Sequence, residues 1–110
     1  MDSLIKLYDA EIYGLDYEIN KLLKKLEELK LMDNTIIFIT ADHGEEFYEH
    51  GYFKHSNALY LYQENIHVPL IIYYPKAFSA KRVDDIVGII DIYPTILGVL
   101  DIDIPGDVGG

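Results

Sequence analysis

Thr35–His55 reads TIIFITADHGEEFYEHGYFKH. Its first six residues are all β-branched or aromatic and show no polar alternation. Such a run predicts a strand covered on both faces, as in a parallel sheet. The stretch then turns abruptly ionisable, with Asp42, His43, Glu45, Glu46, Glu49, His50, Lys54 and His55 in quick succession. Open α/β sheets bind ligands beyond the carboxyl ends of their strands, so this junction sets both the expected fold and the expected site.

Upstream, Ser3 to Leu31 reads as one long helix. Ile12, Leu15, Ile19, Leu22, Leu26 and Leu29 alternate steps of three and four and make one apolar stripe, with Lys21, Lys24, Lys25, Glu27, Glu28 and Lys30 on the other faces. Ser3 is the candidate N-cap. The stripe suits packing on a sheet, and Asp33-Asn34 is the break before the strand. Downstream, Asn57 to Glu64 reads as a short helix and Val68 to Tyr74 as a second strand, with Pro69 near its start, where a missing N–H is tolerated. Lys81 to Ile90 is expected to end in a short third strand. Ile92 to Leu100 reads as a helix capped by Asp91, with Pro94 in its first turn. Asp101 to Gly110 reads as a loose tail. The expected class is α/β: one long N-terminal helix, two to three strands and short helices in a single domain over residues 1–110. One visible long helix is too few to cover such strands, so the sheet reads as incomplete.

Composition narrows the function classes. The 110 residues carry a net charge of −10, which repels phosphate backbones and argues against nucleic acid as a partner. Acidic side chains that converge can instead hold a divalent cation. There is no cysteine, hence no disulfide, thiolate site or thiol nucleophile. No apolar run reaches the roughly 18 residues of a membrane span. No signal peptide pattern opens the chain, and the default expectation is cytoplasmic.

The loop itself suggests a site. Asp42 and His43 follow the strand directly, and Gly44 permits a turn that aims both side chains at one point. A carboxylate beside an imidazole makes half of a divalent-cation site. Glu45, Glu46 and Glu49 add negative potential, and His50 and His55 offer a further ligand or a proton donor. The spacing is not that of His-Glu-x-x-His peptidases, because Gly44 separates His43 from Glu45. The plainer alternatives stay open: an Asp–His pair as a hydrogen-bonded turn, the acids and Lys54 as a solvated surface, and His67 as a structural or exposed histidine.

Four blocks in order carry a family resemblance: YDAEIYGLDYEINKLLKKL (8–26), DNTIIFITADHGEEFYEHGYFKH (33–55), LYQENIHVPLIIYYP (61–75) and IIDIYPTILGVLDIDIP (89–105). Together they resemble the sulfatase family, a branch of the alkaline-phosphatase-like hydrolases. The resemblance implies a partial alkaline-phosphatase-like sheet and cleavage of a small-molecule sulfate ester. It implies a divalent cation held in part by Asp42 and His43, with calcium as the first choice and magnesium, manganese or zinc as alternatives. It also implies a basic residue on the sulfate or leaving oxygen, matched by His55, with Lys54 as the near alternative.

The departures shape the expectation further. The family nucleophile is a formylglycine made within Cys/Ser-x-Pro/Ala-x-Arg. Ser3, Ser56 and Ser79 lack those neighbours, and the family's N-terminal metal-binding carboxylates have no counterpart. The chain is therefore expected to be a middle-to-late piece of a sulfatase domain, inactive alone and prone to self-association through exposed apolar faces. Two other readings stay open. One is a phosphonate or phosphodiester hydrolase or phosphoglycerol transferase of the same superfamily, acting on a phosphate ester. The other is a non-catalytic α/β interaction module or one part of a split protein.

Overall fold

The structure is a computed structural model that describes residues 2–53, 60–106 and 108. The chain divides into two compact units, Met1–Tyr74 and Pro75–Gly110.

The first unit opens with helix α1, Asp2–Glu28. Good helix formers fill its second half, where exposed Lys21–Glu18 and Lys25–Glu28 pairs at 2.7 and 2.9 Å add a few tenths of a kcal/mol each. Ser3 lies inside the first turn rather than at the cap, because the helix already runs from Asp2. The stripe is only partly covered. Ile19, Leu23 and Leu26 are half-buried, while Ile12, Leu15, Leu22 and Leu29 face solvent. The helix ends in a Schellman motif. The Leu31 N–H donates to the Leu26 carbonyl and the Lys30 N–H to the Glu27 carbonyl, both at 2.9 Å, with Lys30 left-handed at φ 56°. A single 3-10 turn, Met32–Asn34, then leads to strand β1, Ile37–Thr40.

The short helix α2, Gln63–Ile66, precedes strand β2, Leu70–Tyr73. Of the helix expected from Asn57, only Gln63 and Glu64 are helical here. Tyr60 and Leu61 are not helical, and residues 57–59 lie outside the described residues. Pro69 sits immediately before β2, as its missing N–H demands.

The sheet corrects the expectation of parallel strands. β1 and β2 pair antiparallel, with Ile37 opposite Tyr73, Phe38 opposite Ile72, Ile39 opposite Ile71 and Thr40 opposite Leu70. The connection over residues 41–69 is long enough for a parallel crossover, but its only helix among the described residues, α2, has four residues and is too short to carry the chain back along the sheet as a crossover helix does. Full cover on both faces is also corrected. Phe38, Leu70 and Ile72 share a half-buried face; on the other face Ile37 and Ile39 of β1 are half-buried, whereas their β2 partners Tyr73 and Ile71 are exposed. No apolar side chain among the described residues is fully buried.

The second unit holds a 3-10 turn, Ile89–Asp91, running straight into helix α3, Ile92–Val99. No third strand forms among the described residues. Residues 81–88 are irregular, with Ile86 and Val87 exposed, because the second unit holds no strand among its described residues for them to pair with. Asp91 does not cap α3 with its side chain. Its Oδ2 turns back to accept the Gly88 N–H at 3.0 Å, and its own N–H donates to the Gly88 carbonyl at 3.0 Å. α3 closes in a second Schellman motif, with Ile102 N–H on the Leu97 carbonyl at 2.9 Å and Asp101 left-handed at φ 56°. No helix among the described residues is long and apolar enough to cross a membrane.

Candidate functional site

Strand β1 ends at Thr40, and the chain turns at Asp42. The Asp42 carboxylate accepts the main-chain N–H of His43 at 3.0 Å through Oδ1, which holds it beside the next residue. It remains 89% exposed, open to water and to any solute cation. His43 Nδ1 lies 2.9 Å from the Gly44 carbonyl. That bond requires the proton on Nδ1, so the neutral ring carries its lone pair on Nε2. Nε2 lies 3.8 Å from Asp42 Oδ1. One cation can bridge such a pair, because metal–donor distances run from about 2.0 to 2.6 Å. A backbone carbonyl on the other ring nitrogen is also the usual way a ligating histidine is oriented.

Gly44 fixes where this turn lies. Its N–H donates to the Asn65 carbonyl of α2 at 2.8 Å. A Cβ built at Gly44 would meet the Glu64 carbonyl oxygen at 1.9 Å, so no side chain fits between turn and helix. The chain then doubles back through a one-pair bridge of Phe47 with Phe53, with Tyr48 and Gly51 both at positive φ (80° and 86°). Tyr8 of α1 packs edge-on against Phe47, with ring centroids 5.0 Å apart.

The remaining ionisable groups of the loop disperse. Glu49 takes the main-chain N–H of Phe47. Glu46 turns inward and is 2% exposed, with no hydrogen-bond partner for its Oε1. Asn65 Oδ1 in α2 is likewise buried without a partner. His50 goes to α2 rather than to Asp42 and His43: its Nε2 lies 3.2 Å from Glu64 Oε2, and its ring stacks on Tyr62 at 3.6 Å and 13°. The Glu64 carboxyl is held below its ordinary value, first by a hydrogen bond from its own main chain and then by His50. Among the described residues no three His, Cys, Asp or Glu side chains gather to hold a metal. Asp42 and His43 therefore stand as a pair. Lys54 and His55 lie outside the described residues. His67 is exposed and closes α2 through its main-chain N–H on the Gln63 carbonyl at 2.8 Å.

His50, expected to bring a further ligand or a proton donor, lies with Glu64 and Tyr62. Sequence reading missed that group because its members are fourteen residues apart along the chain. It also missed the burial of Glu46, since an acid among acids carries no pattern that tells inward from outward.

The sequence profile of the sulfatase family matches residues 2–102. An N-acetylglucosamine-6-O-sulfatase of Bacteroides thetaiotaomicron is 36% identical over 104 residues, covering 94% of this chain and 18% of that protein. Arylsulfatase K of Bos taurus is 34% identical, covering 94% of this chain and 18% of its own length. Arylsulfatase K of Homo sapiens is 32% identical, with 94% and 19% covered. The chain thus spans less than a fifth of the length of these curated relatives. No solved structure matches it significantly.

Proposed function

We propose, from the premise that the chain belongs to the sulfatase family, that it carries part of the cation-binding rim of a sulfate-ester hydrolase with an alkaline-phosphatase-like sheet. Asp42 and His43 are two of the ligands. The observation that supports this reading is the pair of donors, Asp42 Oδ1 and His43 Nε2, 3.8 Å apart just beyond β1. Their chemistry fits a divalent ion: a solvent-facing carboxylate oxygen and an imidazole nitrogen whose tautomer is set by the Gly44 carbonyl. Calcium is the first choice, with magnesium, manganese and zinc as alternatives. The bound ion would act as a Lewis acid on an ester oxygen. His55, with Lys54 as the alternative, would place a cationic donor on the sulfate or leaving oxygen, where negative charge develops.

Two protein donors leave most of a cation's coordination to water, so binding to this chain alone is weak. These residues also hold no formylglycine motif, so the chain by itself turns over no sulfate ester. The exposed faces of α1 and of the sheet are, in this reading, surfaces that the rest of a sulfatase domain covers, and they drive self-association without it. The test is thermal melting with and without millimolar calcium, together with hydrolysis of an aryl sulfate. The expected outcome is a calcium-dependent rise in melting temperature that Asp42→Ala removes, and no turnover. A melting temperature indifferent to calcium, magnesium, manganese and zinc would sink the metal assignment. Turnover by this chain would sink the inactive-alone reading.

A further inference from the structure

We propose that His50 and Glu64 are positioning residues, a clasp that holds the Asp42–Gly44 turn against α2 and so sets the spacing of the two donors. The inference rests on the cation reading of that turn.

The loop is tied to the same short helix at two places. At its start, the Gly44 N–H donates to the Asn65 carbonyl at 2.8 Å. Six residues later, His50 Nε2 meets Glu64 Oε2 at 3.2 Å, and the imidazole lies flat on Tyr62, the residue that precedes α2. Both ties fall on residues 62–65, so anything that shifts Glu64 shifts both. Gly44 is in contact with the Glu64 carbonyl itself, with no room for a Cβ between them. The Glu64 main chain thus bounds the turn, while its side chain holds the far end of the loop. His50 and Glu64 are each about one-third exposed, so the pair adds little to global stability and its main effect is geometric. The stack on Tyr62 removes the ring's rotational freedom and keeps Nε2 aimed at the carboxylate. Groups bonded directly to a metal ligand typically set affinity by about 10- to 100-fold; the clasp acts one step further out, through the Gly44 carbonyl on the His43 ring, so the lower end of that range is expected.

The experiment is manganese(II) binding followed by electron paramagnetic resonance, on the full chain and four variants. Asp42→Asn tests the underlying reading and is expected to abolish saturable binding. Glu64→Ala and His50→Ala are expected to weaken it about tenfold. Glu64→Gln loses the same charge as Glu64→Ala but keeps an acceptor for the imidazole, and is expected to bind close to wild type. Equal affinities in Glu64→Ala and Glu64→Gln would overturn the clasp while leaving the cation site standing. Wild type and Asp42→Asn binding alike would overturn the reading and the clasp with it. Amide exchange at Gly44 gives a second reading that needs no metal. It is expected to speed up in His50→Ala while the amides of α1 keep their wild-type rates. An unchanged Gly44 rate would likewise overturn the clasp.

Discussion

The loop from Asp42 to His50 and the long helix α1 are built on opposite terms. The loop is rich in charge, yet its groups are held by short-range contacts to one another and to α2. α1 is rich in leucine, yet most of its stripe faces water. The one buried residue among those described is an acid, Glu46. Polar geometry can be satisfied by a single neighbour at hydrogen-bond distance, so a short segment can define it alone. Apolar burial needs area, and two four-residue strands and a four-residue helix supply little. The contrast separates the part of the chain that is locally complete from the part that depends on a cover.

Four substitutions and one condition break or sharpen that contrast. Gly44→Ala has the largest expected effect, because its methyl would overlap the Glu64 carbonyl, a backbone atom that cannot swing away. Overpacking of this kind costs about 3 kcal/mol. The loop should come off α2, seen as fast exchange of the Gly44 amide, while the circular dichroism of α1 is retained. Retained Gly44 protection would show that the turn does not depend on this close approach. Next is Glu46→Met, which replaces a buried carboxylate lacking one partner by an apolar chain of similar length. It should raise stability by about 2 kcal/mol, read from the urea midpoint. A lower midpoint would mean that the carboxylate is satisfied in solution.

Two smaller changes act on α1 alone. Lys30→Gly relieves the left-handed residue of the Schellman motif, and Gly14→Ala fills an open position inside the helix. Each should add about 1 kcal/mol, since each matches a residue to its backbone. Helical content at elevated temperature is the measure, and a loss in either variant would contradict the local geometry described.

The last test is pH. The folded pKa of Glu64 lies below its ordinary 4.5. A lowered carboxyl contributes stability that is complete above the unfolded value and is lost as pH falls through the folded one. The tie between His50 and Glu64 should therefore hold above pH 4.5 and open in more acid solution. The ring proton shifts of His50 and Tyr62 would report it, and Glu64→Gln should abolish the Glu64 transition. Shifts that change only above pH 4.5 would assign the event to another group.

Much of the local structure was legible in the residues. The three-four spacing from Ile12 to Leu29 marked α1, the β-branched run marked β1, and Pro69 marked where β2 begins. These signals are short-range, arising from backbone sterics and from side-chain periodicity within one element. The third strand was misread because Ile86, Val87, Ile89 and Ile90 carry strand-like side chains. A strand also needs an edge to pair with, and nothing in that segment says whether one is near. Asp91 was misread for a related reason. A carboxylate before a helix can serve the helix or the turn ahead of it, and here it accepts the Gly88 N–H.

What the sequence determined by itself is the family, the order of α1, β1, α2, β2 and α3, and the Asp42–His43 pair behind an apolar strand. Each is written in residue types at fixed spacing. Tertiary structure alone decided the antiparallel pairing, the burial of Glu46, and the use of His50 to tie the loop to Glu64 and Tyr62. Those depend on which distant segments meet, and meeting is governed by chain path and shared surface, which no local pattern encodes.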